Sequence, residues 1–379
     1  MEKPSKLAIF MKRRGYNAFF SLKFGNRIKE ELFHNKKATL SEKLWALRHG
    51  FWSGKVKSLG INRDNVNDYV SVFDYARIGN LNGSNAAWID DKLFLRDILG
   101  AYGEYLPEYY FYRDKQGKLY RLADCPEGME CGTGGIIELL DKKGYLALKP
   151  RLGSLGEGFM RLERASDDKY LINGQEYDRA ALTEKLEGLL EVIVTEYVFS
   201  HPTIRRIYEK APNSLRLSVF RDLDGTHKLL SARIRIGMEA TGYIDNVSKG
   251  GFGALIEPET GRLMWEKVLV NGKTVKLPIH PQSYAPLNIT IPNWELILKK
   301  TLEICNTVPD LVWIGFDIIP TEDGFKLIEL NSHQSIDGSL QHFHPLMKSE
   351  AAGLFMDAFR RRKKLFKRTL RRLERQKRR

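Results

Sequence analysis

Through the first 57 positions apolar residues recur at three- and four-residue spacing. Phe19, Phe20, Phe24, Ile28, Leu32 and Phe33 interleave there with Lys23, Arg27 and Lys29. That period predicts helices. From residue 60 to about 135 the pattern is mixed and aromatic: 91–99 reads as a short helix closed by Gly100, 106–112 as a strand, and 114–117 as a turn. Beyond it, short apolar runs predict strands at 145–149, 159–163, 192–198, 214–221, 228–236, 312–319 and 325–331. Helical spacing fits 179–190, 294–308 and 351 onward. Strands interleaved with helices predict an α/β or α+β protein with more than one lobe. No internal repeat appears. The pattern divides the chain into a basic helical segment (1–57), an N-terminal lobe (58–135), a smaller unit around a glycine-rich stretch (136–198), a larger unit (199–359) and a basic tail (360–379).

With 42% hydrophobic and 28% charged residues among 379, the chain lies in the range of folded domains. No apolar run approaches the ~20 residues of a membrane span. The Leu7–Met11 run is too short for a signal-peptide core and meets Lys12-Arg13-Arg14, which predicts a cytoplasmic protein. Three cysteines, Cys125, Cys131 and Cys305, suit neither a disulfide framework nor a common zinc pattern.

The net charge of +14 is unevenly placed. Residues 360–379 hold thirteen basic groups and one acid, and residues 1–57 hold fourteen basic and four acidic groups. Taking those +12 and +10 from +14 leaves the span 58–359 at −8. A uniformly basic nucleic-acid binder is therefore excluded.

Three stretches carry chemistry. In the first, Lys149 ends an apolar strand and Gly153, Ser154, Gly156 and Gly158 follow in a loop. Glycines let backbone amides approach a polyphosphate, and a strand-held ammonium meets its charge. The spacing is neither a Walker A loop nor Gly-x-Gly-x-x-Gly, and the same stretch also reads as a plain turn. In the second, 313–331 forms a hairpin in which alternation puts Phe316, Ile318, Ile328 and Leu330 on one face. Leu327, Glu329 and Asn331 fall on the other. Asp317 joins Glu329 only if the loop is odd in length or a bulge intervenes; a tight Glu322-Asp323 turn alone would set it opposite Ile328. Two carboxylates and an amide form a hard-oxygen site suited to Mg²⁺; a solvated strand face is the plainer reading. In the third, Glu196 interrupts an apolar strand and leads into Tyr197-Val198, and Arg216 sits on an otherwise alternating strand. Arg216 reads as a surface residue or as a partner for a phosphoryl group.

In this order, the stretches resemble the ATP-grasp superfamily. With Asp91-Lys92, the run 197–202 and the run 245–253, the chain is most similar to the sugar-transfer-associated ATP-grasp family across about 60–345. The resemblance implies two α/β lobes clasping ATP. Lys149 would contact the α- and β-phosphates, Lys92 would be a second phosphate or adenine-side lysine, and the loop from Gly153 through Ser154 and Gly156 to Gly158 would close over the triphosphate. Glu196, Tyr197 and Val198 would read adenine, and His201 the ribose. Asp317, Glu329 and Asn331 would hold two Mg²⁺ ions, replaceable by Mn²⁺, and Arg216 would face the γ-phosphate. Some relatives carry an arginine two residues before the first metal carboxylate; here that position is Gly315, which passes the duty to Arg216, Arg233 or Arg235.

The implied activity is ligation of a carboxylate to an amine or sugar-linked acceptor through an acylphosphate, in cell-surface polysaccharide or peptide-conjugate synthesis. A phosphotransferase on the same fold is the rival, and a non-catalytic membrane- or RNA-binding module the third class. In the segment from His333 to His344, His342 and His344 could supply two zinc ligands but a third at family spacing is missing, so the segment reads rather as acceptor-pocket lining or a cap for the final helix. Phe355, Phe359, Phe366, Leu370 and Leu373 lie near one stripe of the basic C-terminal helix. Together with the N-terminal segment, this predicts peripheral attachment to an anionic membrane face rather than nucleic-acid binding.

Overall fold

A computed structural model describes residues 5–153, 156–336 and 340–377. Two seven-stranded antiparallel sheets organise them. The first comprises β1 (Tyr109–Arg113), β2 (Leu119–Arg121), β3 (Tyr145–Pro150), β4 (Met160–Ser166), β5 (Lys169–Ile172), β6 (Gln175–Asp178) and β7 (Val192–Glu196), in the order β2-β1-β7-β3-β4-β5-β6. One face is covered by the helices Thr133–Lys143 and Arg179–Glu187. Their Ile136, Leu140, Leu182 and Leu186 pack with Leu146, Leu162 and Val194.

The second sheet comprises β8 (Leu215–Arg221), β9 (His227–Ile236), β10 (Phe252–Ile256), β11 (Leu263–Val270), β12 (Lys273–Val275), β13 (Trp313–Thr321) and β14 (Gly324–Asn331), in the order β12-β11-β10-β9-β8-β13-β14. On β13 alternation separates two faces. Ile314, Phe316 and Ile318 enter a core shared with Leu217, Ile234 and the helix Trp294–Ile304. Trp313 faces the other way, packing with Phe220 and with Phe355 of the helix Glu350–Lys377. Beyond that second core, Asp317 and Ile319 open onto a cavity.

The N-terminal segment forms the helices Lys6–Arg13, Ala18–Lys29, Leu40–Arg48 and Ser53–Leu59, with a π turn at Glu30–His34. Ser5, Asn17 and Thr39 cap the first three, and Thr39 with Glu42 makes a capping box. Their shared core is aromatic: Tyr16, Phe20, Phe24, Trp52 and Phe73.

Several expectations need correction. Only Leu95–Ile98 of the stretch 91–99 is α-helical, because Asp91 and Lys92 are drawn into contacts with Arg151 and Gly153. The strand expected at 192–198 stops at Glu196, where the chain leaves the first sheet. The helix Thr133–Lys143 and strands β5, β6 and β10–β12 went unpredicted. Phe355 and Phe359, placed on an amphipathic stripe of the tail, are buried against the second sheet.

Candidate active site

The site is organised by strand pairing. In β9, Arg233 lies opposite Arg216 of β8; Arg216 lies opposite Asp317 of β13; Asp317 lies opposite Glu329 of β14. Four adjacent strands thus present one lateral row, Arg233–Arg216–Asp317–Glu329, along the wall of a cavity of about 1050 Å³. At a strand spacing of ~4.8 Å the row spans roughly 14 Å.

The position of Glu329 in that row depends on one extra residue. The hairpin closes through the tight turn, with Thr321 opposite Gly324 and Ile318 opposite Leu327. Uniform pairing would then set Asp317 against Ile328. Instead the register shifts at Ile328, and Glu329 takes the place opposite Asp317. The face assignment of two residues reverses as a result. Leu327 is buried in the core, and Ile328 lines the cavity beside Glu329.

Asp317 is 3% exposed, and burial alone would raise its pKa. Arg216 and Arg235 hold it below the usual carboxylate range instead. Arg216 makes a two-pronged pair with it, Nη2 lying 2.9 Å from Oδ2, and Arg235 Nη2 approaches Oδ2 at 3.0 Å. Burial also works against the charge on Arg235, but Asp317 and Asp245 hold that guanidinium above its ordinary pKa. Glu329 is pushed up by burial and by Asp317, with Lys92 opposing. Burial, then Arg216 and Arg235, push Arg233 down to about 9, with Asp317 opposing.

Facing this row is the glycine-rich loop. Lys92 Nζ donates to the Gly153 carbonyl at 2.9 Å and lies 3.4 Å from Glu329 Oε1. Asp91 grips Arg151 with both oxygens, at 2.7–3.0 Å, which anchors the start of the loop. Gly156 has φ 69°, and a Cβ there would press on Ile244 at 3.1 Å. The left-handed φ strains any side chain there, and Ile244 would have to give by a few tenths of an ångström. Lys149, on the cavity wall, is pushed down to about 8 by burial, Glu329 pulling the other way and Lys92 reinforcing the drop.

Ala147, Glu196, Tyr197, Val198, Ile319 and Ile328 line the same cavity. The Glu196 carboxylate accepts from the Glu108 amide at 3.1 Å. His201 does not belong with them. Its Nδ1 accepts from the Thr203 amide at 3.1 Å, capping the short helix Pro202–Arg205, and the residue does not line the cavity. Ser154 lies outside the described residues. Asn331 lines the cavity beside Glu329, and its buried Nδ2 has no partner among the described residues.

Gly315 also finds a reason. A Cβ there would lie 2.6 Å from Gln334 Cδ, so Gln334 fills the space an arginine would need. Among the described residues no three His, Cys, Asp or Glu side chains gather as a metal site. Two opposed carboxylates plus an amide fit Mg²⁺ nonetheless, since that ion keeps positions for water and phosphate oxygens. His333 lines the cavity, its Nε2 2.9 Å from the Tyr75 hydroxyl, whereas His344 Nδ1 lies 3.2 Å from the Pro345 carbonyl.

Sequence reasoning missed Asp90, which accepts from the Ser332 amide at 2.9 Å and its hydroxyl at 2.6 Å, fixing the end of β14. The acid run Asp90-Asp91 before Lys92 was the available signal. Tyr75, which donates to the Gln334 carbonyl at 2.7 Å and lines the cavity, left none.

Comparison with known proteins follows the same lines. A model of the sugar-transfer associated ATP-grasp family matches residues 74–344. No curated protein matches the chain in sequence. Among solved structures it is similar to an ADP complex of purK, N5-carboxyaminoimidazole ribonucleotide synthetase, at 12% identity and TM-score 0.37, covering 67% of this chain and 47% of that one. An L-amino acid ligase from Bacillus licheniformis gives 11%, 0.38, 71% and 48% in the same order. D-cycloserine synthetase DcsG gives 12%, 0.40, 82% and 81%. The chain spans about half the length of the first two. The family model covers well over half of the sequence, and this two-lobed α+β chain belongs to the sugar-transfer associated ATP-grasp family, with the ATP-grasp fold.

Proposed function

We propose that the protein is an ATP- and Mg²⁺-dependent ligase that joins a carboxylate to an amine or other nucleophile through an acylphosphate. The observation that carries this reading is the row Arg233–Arg216–Asp317–Glu329, set opposite Lys92 and Lys149 in one cavity. Asp317, Glu329 and Asn331 would hold the metal, which offsets phosphate charge when bound. Arg216 and Arg235 are placed for the γ-phosphate, and Lys149 and Lys92 for the phosphates behind it.

An acceptor carboxylate belongs next along the row, over Arg233, which ends it on the cavity wall. A carboxylate oxygen there attacks the γ-phosphorus, the bond from that phosphorus to the bridging oxygen breaks, and ADP leaves. The amine then attacks the acyl carbon, phosphate departs, and the amine loses a proton. No protein nucleophile is needed. Ala147, Ile319, Ile328 and the Tyr197–Val198 backbone would hold adenine. The family's association with sugar transfer supports a sugar-linked or peptide-conjugate acceptor in surface-polysaccharide synthesis.

The test is Mg²⁺-dependent phosphate release across a panel of carboxylates, amino acids and amino sugars, with mass spectrometry of the product. A condensed product with one free phosphate per turnover is expected. A phosphorylated product without free phosphate would overturn ligation in favour of a phosphotransferase.

A further inference from the structure

Of nineteen exposed large apolar side chains among the described residues, eight lie between Leu7 and Leu44, about a tenth of the chain. They are not scattered there. On the continuous helical run from Ala18 to His34, Phe19, Leu22, Asn26, Lys29 and Phe33 follow at spacings of three, four, three and four. That spacing sets them along one stripe about 21 Å long. Phe19 is 62%, Leu22 60% and Phe33 76% exposed. The opposite side of the same run carries Phe20, Ser21, Phe24 and Glu31 into the aromatic core, so the stripe is not a surplus of core residues.

The charge around this stripe is mostly of one sign. From Lys6 to Lys29 seven basic residues are exposed and no acid occurs; Glu30, also exposed, is the first. The cations lie close to the apolar groups. Lys23 Nζ sits 4.2 Å from the Phe19 ring centre, and the Arg14 guanidinium 4.6 Å from that of Phe10. A second copy of the chain would bring these cations against each other, and a nucleic acid would leave the phenylalanines in water. An anionic lipid surface satisfies both, with aromatic and leucine side chains entering the acyl boundary and Lys/Arg held at the headgroups.

We propose that the Phe19–Phe33 stripe, with Phe10 and the basic residues around it, docks the protein on an anionic membrane surface. The sequence suggests both basic ends; of the C-terminal stripe, Phe355 and Phe359 are committed to the core. Among the described residues no helix is long and apolar enough to cross a membrane, so the attachment is peripheral. The proposal is independent of which reaction the cavity performs.

The experiment is co-sedimentation of the full chain with phosphatidylcholine vesicles, with and without phosphatidylglycerol. Wild type, a Phe19→Ser/Leu22→Ser/Phe33→Ser variant and a chain ending at Phe359 are compared, with light scattering for mass. Wild type is expected to bind only the anionic vesicles, and the triple variant to bind about tenfold more weakly, as three apolar groups are withheld from lipid. Its circular dichroism and ATP turnover should be unchanged. The truncated chain should still bind, with dependence on the same three residues. Equal binding by the triple variant overturns the proposal, as does binding lost only on truncation. A wild-type dimer that the triple variant converts to monomer, without vesicle binding, assigns the face to a second copy instead.

Discussion

Asp317 faces Glu329 directly across β13 and β14 only because Ile328 is an extra residue in the second strand. Without that bulge, the two-residue turn would aim Glu329 into the core. The pair should therefore behave as one unit. Glu329→Ala and Asp317→Ala should each lower Mg²⁺-dependent ATP turnover about 10²–10³-fold, the scale for loss of a group that stabilises transition-state charge. The double variant should be little worse than either single one. Phosphate-release kinetics with a matched thermal melt check this. Turnover within a few-fold of wild type in Glu329→Ala would remove that residue from the metal site.

Lys149 sets a pH dependence. Its folded-state pKa, pushed down to about 8 by burial, makes the ammonium the form that meets phosphate below pH 8. As pH rises through that value the charge is lost, and kcat/KM for ATP should fall on the alkaline side. Bound phosphates favour the protonated form, so the alkaline limb of kcat should lie higher. In Lys149→Arg the guanidinium stays charged, and the limb near 8 should vanish. A limb that persists in that variant assigns it to another group.

Gly315 should resist substitution. Its missing side chain is the space Gln334 occupies, so Gly315→Ala should cost about 1–3 kcal/mol by overpacking. Gln334→Gly in the same chain should recover part of that loss. Urea midpoints of the four proteins of this double-mutant cycle give the coupling directly. Additive losses would show that Gln334 is not the obstacle.

His201 supplies the contrasting case. His201→Ala should reduce stability by about 0.5–2 kcal/mol through loss of a helix cap, and leave KM for ATP unchanged. A rise of several-fold in KM, measured at constant fold by circular dichroism, would restore the ribose role that its nearness to Val198 suggests.

What the chain discloses in advance follows from the range of the interactions involved. Alternation along β9 already places Arg233 and Arg235 on one side, with Ala232, Ile234 and Ile236 on the other. The charged row remains invisible, because it depends on which strands are neighbours and in what register. One bulged residue leaves almost no trace in a hydrophobic pattern. The stretch 91–99 carries helical spacing throughout, and tertiary contacts of Asp91 and Lys92 override it at its start. In the N-terminal helices the period is plain, but two apolar stripes share it. Only packing tells the buried Phe20–Phe24 side from the open Phe19–Phe33 side.

Lys92 holds the Gly153 carbonyl with the same ammonium that sits 3.4 Å from Glu329. One side chain is thus shared between the glycine-rich loop and a carboxylate of the charged row. Any ligand that draws Glu329 away from Lys92 also changes how firmly that ammonium holds the loop. On the proposed function, divalent ion and nucleotide would be linked through this common group, and each would alter the affinity of the other by the same factor.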